Sequence, residues 1–159
     1  MQASILFVCT GNICRSPTAE GLFRLRTTAL GFADTWRCDS AGIHAQMGQE
    51  PEPLAIEIAA LYGANIRALK SRPFEREDFA QFDLIVAMDY GHLDFLTALR
   101  PANYRGRITL LETISGQRFE VMDPYGRSRS AYVRAGRDIE VGIECLIQQL
   151  AALGSSNLE

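Results

Sequence analysis

Cys9 and Arg15 stand six residues apart in the stretch V-C-T-G-N-I-C-R-S-P, and each is a residue type that gains from meeting an anion. A thiol beside inward-pointing backbone amides and a guanidinium is favoured as the thiolate, because only the charged form gains from that field. Arg15 offers a planar fork that grips two oxygens of a tetrahedral oxyanion at once, which an ammonium cannot do. A sulfur nucleophile on the floor of a phosphate-shaped bowl points to one reaction class, attack on phosphorus. Thr10, Gly11, Asn12, Ile13, Cys14, Arg15 and Ser16 are then the candidate phosphate-binding residues. The bare spacing is a weak signal. Of 16 Lys and Arg only Lys70 is a lysine, and with 4 Cys a shuffled chain would hold ~0.4 Cys-x5-Arg pairs by chance.

The flanking elements strengthen it. Ile5, Leu6, Phe7 and Val8 form a continuous run of β-formers, the mark of a strand buried on both faces. Thr10, Gly11 and Asn12 turn the chain, and Ser16-Pro17 open a helical pattern, with Ser16 as N-cap, Pro17 at the first helical position and Glu20 near the positive end of the dipole. Amides of such a loop, backed by a helix N-terminus, make an anion cradle.

The remaining chain reads as one domain, residues 1–153, with a frayed tail over 154–159. An apolar fraction of 47% and a charged fraction of 22% are ordinary for a soluble globular protein. A net charge of −3 gives no bulk attraction to nucleic acid or anionic lipid. No run approaches the roughly 18 apolar residues of a membrane span, and no charged-then-apolar leader follows Met1. The expectation is a cytoplasmic protein with reduced cysteines, and Cys38 and Cys145 are assigned to packing.

A helix is expected over 17–30, ending at Gly31, and a strand over 35–41 that closes on Asp39-Ser40-Ala41-Gly42. A surface loop over 43–53, with Gly48, Pro51 and Pro53, precedes a helix over 53–61. A short acidic helix over 75–82, strands over 84–88 and 108–111, a helix over 91–99 and a long amphipathic helix over 130–153 complete the pattern. Alternating strands and helices predict an α/β fold, a parallel sheet with helices on both faces. Ligands of such sheets bind at the carboxyl ends of the strands near the switch point, where Cys9, Ser40 and Asp89 all fall.

The phosphate-loop stretch, together with Asp39-Ser40-Ala41-Gly42, Met88-Asp89 and Asp123-Pro124-Tyr125 in order and at nearly the same spacing, resembles the low-molecular-weight protein tyrosine phosphatases over essentially the whole chain. The resemblance implies a flavodoxin-like, four-stranded sheet of order 2-1-3-4. It implies a protein tyrosine phosphatase with phosphotyrosine protein or peptide substrates, phosphate or other oxyanion ligands, no cofactor and no metal. A monomer is favoured, and no nucleic acid or membrane partner is expected. Release of a phenol, whose pKa is about 10, needs a proton that a thiolate cannot supply. Asp123, in the irregular stretch 112–129 and stiffened by Pro124, is the candidate general acid and then base. Ser16 is placed against the Cys9 sulfur, Ser40 against Asn12, Asp89 near Arg15, and Tyr125 at the pocket mouth. The matching second cysteine of the family can form a disulfide with the nucleophile, so Cys9 and Cys14 would make a reversible redox switch.

Two departures stand out. The loop over 43–53 is one residue shorter than in the family and carries His44, Ala45, Gln46 and Met47 where an aromatic is common. Leu69 stands near where the family has a histidine that helps anchor the loop asparagine, so another group takes that part or the loop is held less rigidly. Rival readings are an arsenate reductase, which needs a further cysteine pair in the latter half where only Cys145 lies, and a protein-arginine phosphatase, which carries threonine at the position of Ile13. From another class come a non-catalytic anion-binding module and a phospho-carrier, neither of which has use for a general acid at Asp123. His44 and His92 are too few and too scattered for a zinc site.

Overall fold

Strand β1, Ala3–Cys9, is buried along its entire length, as its unbroken apolar run requires. Its side chains alternate between two cores. Ile5, Phe7 and Cys9 face one, with Phe23, Ile58, Ile139 and Ile143, while Leu6 and Val8 face the other, with Phe79, Leu96 and Tyr104. The computed structural model describes residues 1–116 and 120–155.

Around β1 the sheet is built in the order β2-β1-β3-β4, with β2 Trp36–Gly42, β3 Leu84–Ala87 and β4 Arg107–Leu110. Every pairing is parallel; Cys9 stands level with Gly42, and Val8 with Ala87. Helices α1 Arg15–Ala29, α2 Pro53–Leu61 and α6 Arg129–Ser155 supply the first core, and α3 Asp78–Gln81 and α4 Tyr90–Leu99 the second; α5, Leu111–Ile114, follows β4 and packs on α6. Helices thus cover both faces of the sheet. Because β2 and β3 lie on opposite sides of β1, the crevice at the carboxyl end of β1 is the switch point. No described helix is long and apolar enough to cross a membrane.

Several local expectations are corrected. Helix α1 begins at Arg15 with Cys14 in the N-cap position and no side-chain cap, so Ser16 is not a cap: its hydroxyl is held by Cys9 and Asn12 instead. Glu20, expected near the positive end of the dipole, lies beyond the first turn of α1, which holds no acidic residue, and is 2% exposed. The acidic helix shrinks to α3, and the stretch expected to be irregular contains α5. Helix α6 runs to Ser155; of the proposed tail, 156–159 lie outside the described residues.

Candidate active site

Residues 10–14 leave the end of β1 and curl back into α1. The carbonyls of Cys9, Thr10, Ile13 and Cys14 accept from the N–H groups of Ile43, His44, Glu52 and Thr18. A trans peptide sets its N–H opposite its C=O, so the matching N–H groups of Thr10, Gly11, Cys14 and Arg15 point the other way, into the bowl. Asn12 takes the left-handed backbone, φ 56°, which asparagine tolerates better than most residues. Gly42 must be a glycine for a steric reason: a Cβ there would lie 2.5 Å from the Thr10 carbonyl and 2.9 Å from the Asn12 nitrogen.

Side chains lock this shape. Asn12 Nδ2 donates to Ser16 Oγ and Ser40 Oγ, both at 2.9 Å, and its Oδ1 accepts from the Arg72 N–H at 2.9 Å. Ser40 in turn donates to Glu20 Oε2 at 2.6 Å, and Arg24 pairs with Glu20 Oε1 at 2.7 Å. Burial raises the Glu20 carboxyl above its ordinary range, against the pull of Ser40 and Arg24. A carboxylate accepts only, so the direction of this chain is set: Ser40 donates to Glu20 and accepts from Asn12, and Ser16 accepts from Asn12. The Ser16 hydrogen is left for the Cys9 sulfur 2.9 Å away, with the Ala41 carbonyl farther off at 3.4 Å. The backbone of Arg72 and the Glu20–Ser40 pair thus anchor the asparagine in a chain with Leu69 where a histidine is usual. Arg72 itself is pinned by Asp39 at 3.0 Å and by both oxygens of Asp78.

Arg15, 2% exposed, is held just as firmly. Its Nη1 donates to Asp89 Oδ2 and to the Val121 carbonyl, both at 2.9 Å, and its Nη2 faces Thr10 Oγ1 at 3.5 Å and Asp123 Oδ2 at 3.6 Å. Asp89 caps α4, its Oδ1 accepting from the His92 N–H at 3.0 Å. Partial burial would raise the Asp89 carboxyl, but the bond from the His92 backbone, the His92 ring and Arg15 outweigh it and hold it below the usual range. Burial draws the His92 imidazole down to about 4; Asp89 opposes this and Arg15 adds to it.

Cys9, Thr10, Gly11, Ile13, Cys14, Arg15, Asp123 and Tyr125 line one open pocket of about 170 Å³. All three residues expected to be catalytic, Cys9, Arg15 and Asp123, therefore meet there. Asn12, Ser16 and Ser40 lie behind the loop, and Asp89 lies behind Arg15. Cys14 is buried with its Sγ 3.5 Å from Tyr132 Oη; burial pushes its thiol up to about 12 despite that hydroxyl. All four cysteines are free. Cys38, whose thiol burial likewise pushes up to about 12, faces the Glu20 carbonyl.

Sequence reasoning missed Glu20, His92, Arg72 and the Val121 carbonyl. The Asp89–His92 spacing is that of a capping box with histidine in place of the usual Glu or Gln, a signal that was readable. Nothing in residue type marks Glu20 or the other two, because they act through tertiary contacts.

Residues 4–155 match the family model described as low molecular weight phosphotyrosine protein phosphatase. The chain is 40% identical over 126 residues to the low molecular weight phosphotyrosine protein phosphatase of Sus scrofa, covering 77% of this chain and 79% of that one. It superposes with a TM-score of 0.84 on the low molecular weight protein tyrosine phosphatase of T. tengcongensis, at 33% identity, covering 93% of this chain and 99% of the other. A TM-score of 0.84 also relates it to the YwlE arginine phosphatase, at 30% identity, covering 93% and 95% of the two chains.

Proposed function

The chain belongs to the low molecular weight phosphotyrosine protein phosphatase family, and from that premise we propose that it hydrolyses phosphotyrosine through a cysteinyl-phosphate. The observation that carries the reading is the pocket shared by Cys9, Arg15 and Asp123. In the first step the Cys9 thiolate attacks phosphorus while the phosphorus–phenol bond breaks, and the Asp123 carboxylic acid gives its proton to the leaving oxygen. Arg15 and the loop amides hold the equatorial oxygens, so the charge on phosphorus is met by fixed donors that need no reorganisation. In the second step the Asp123 carboxylate takes a proton from water as that water attacks phosphorus. The sulfur–phosphorus bond breaks, phosphate leaves, and the Ser16 hydroxyl donates to the departing thiolate. Ser40 and Asn12 keep the loop in shape, Asp89 holds Arg15, and Tyr125 borders the substrate ring.

The likeness to an arginine phosphatase supports a second reading, phosphoarginine hydrolysis on the same floor. Ile13, a pocket-lining apolar side chain, favours a phenyl ring over a guanidinium. Turnover of phosphotyrosine, phosphoarginine and phosphoserine peptides, with arsenate reduction run alongside, separates the readings: phosphotyrosine is expected to be preferred, and preference for another substrate rejects it. The Asp123→Ala variant is expected to lose about two to four orders of magnitude in rate while still trapping phosphate on Cys9. Unchanged turnover of an aryl phosphate in that variant rejects the acid assignment.

A further inference from the structure

One buried base is left over by the mechanism. His92 is 1% exposed and bonds through both ring nitrogens, with Nδ1 3.2 Å from the Asp89 backbone nitrogen and Nε2 2.8 Å from Thr10 Oγ1. A backbone N–H can only donate, so Nδ1 accepts and the ring proton belongs on Nε2. The other tautomer would aim Nδ1–H at Asp89 Oδ1, 3.1 Å away, an oxygen already engaged by the His92 N–H, and would set two hydrogens against each other at the Asp89 N–H. Nε2–H therefore donates to Thr10. The Thr10 oxygen also faces Arg15 Nη2 at 3.5 Å. With two donors aimed at its oxygen, the hydroxyl must turn its own hydrogen elsewhere, and Thr10 lines the pocket beside Cys9 and Arg15.

We propose that His92 is a positioning residue that commits the Thr10 hydroxyl as a donor to the bound oxyanion. The first turn of α4 then aims two donors at one ligand, Arg15 through the Asp89 carboxylate and Thr10 through the His92 ring. The proposal rests on the phosphatase reading of the same pocket. A donor fixed on an oxyanion oxygen holds substrate, product phosphate and transition state nearly alike, so its loss falls on KM and on phosphate inhibition rather than on kcat.

The test compares p-nitrophenyl phosphate turnover and the inhibition constant of inorganic phosphate in five proteins: the unsubstituted chain, His92→Asn, His92→Gln, Thr10→Val, and Thr10→Val with His92→Asn. Asparagine can still accept from the Asp89 N–H but falls short of Thr10, and glutamine reaches Thr10 with a donor. His92→Asn is expected to raise KM and the phosphate inhibition constant about three- to tenfold, with kcat held within about twofold. His92→Gln is expected to recover most of that loss, and the double variant to be no worse than Thr10→Val alone. Unchanged phosphate inhibition in His92→Asn, or losses that multiply in the double variant, overturns the proposal. Should His92→Asn fail to fold, Thr10→Val carries the test, and unchanged phosphate inhibition there overturns it equally. An unsubstituted chain that neither turns over the aryl phosphate nor binds phosphate overturns the phosphatase reading as well, whereas normal turnover with inhibition indifferent to position 92 removes only the role of His92.

Discussion

The floor and the rim of the pocket are built on opposite terms. On the floor Cys9, Asn12, Arg15, Ser16 and Ser40 are all under 6% exposed, and each polar group among them is held by at least one further side chain. On the rim Tyr125 is 60% exposed and the Asp123 side chain is 50% exposed. Among the described residues Asp123 is steadied by the Tyr125 N–H at 3.1 Å and by the more distant Arg15. The floor meets what every phosphate monoester shares, a tetrahedral dianion, and a fixed target rewards fixed donors. In the mechanism proposed above, the rim meets what differs between substrates, and Asp123 exchanges a proton with leaving group and water. Exposure there is part of the work.

Apart from loss of the proposed acid Asp123, substitutions on the floor should accordingly cost most. Arg15→Lys keeps the charge but loses the fork and the paired bonds to Asp89 and Val121; kcat/KM for an aryl phosphate is expected to fall about 10³-fold or more. Retention of more than a tenth of the rate would mean that the floor is less dependent on geometry than its burial implies. Asn12→Ala is expected to follow, with a loss of about 10- to 100-fold in kcat/KM and a lowered Tm, because it removes three hydrogen bonds and puts alanine in a left-handed backbone. If Tm falls while turnover is kept, the asparagine serves stability alone.

Rim substitutions other than at Asp123, where loss of the proposed acid costs about two to four orders of magnitude in rate, should move selectivity instead. Tyr125→Ala is expected to raise KM for a phosphotyrosine peptide about three- to tenfold through lost ring contact, with inorganic phosphate inhibition unchanged. A matching weakening of phosphate inhibition would place Tyr125 in the floor's economy and blur the division.

The division also governs what could be read from the sequence. Strand β1, its loop and the start of α1 are legible because one local segment carries the apolar run, the turn residues and the reactive pair together. The sheet's helices and strands were placed to within a few residues by periodicity. The cap reading of Ser16 failed because a serine before proline satisfies the local rule for a cap, whereas its hydroxyl is engaged by Asn12 and by the Cys9 sulfur, the second of which the resemblance implied. Glu20 and Arg72 were invisible for a related reason: they hold the loop from one turn and from sixty residues away. The rim, whose residues obey no period and bury little, was placed chiefly through the resemblance of Asp123-Pro124-Tyr125.

Two glutamates carry the contrast into the rest of the molecule. Glu20 and Glu112 are each 2% exposed, but both Glu20 oxygens are partnered, whereas Glu112 Oε1 has no hydrogen-bond partner among the described residues. Burial, with Asp138 adding to it, pushes the Glu112 carboxyl from 4.5 up to about 7; Asp138 is itself raised by burial, against Arg134 and Arg137. The folded chain therefore holds this proton more tightly than the unfolded chain does. Stability from Glu112 is full below about pH 4.5, declines between 4.5 and 7, and is absent above 7, where the buried carboxyl must carry its charge. Glu112→Gln keeps the shape and removes the charge. It is expected to unfold at higher urea than the unsubstituted protein at pH 8, by about 1–3 kcal/mol, with the difference vanishing near pH 4.5 and aryl phosphate turnover unaffected at either pH. A Gln variant less stable at pH 8 would show that the carboxylate is paired after all, and a change in turnover would tie α5 to the pocket.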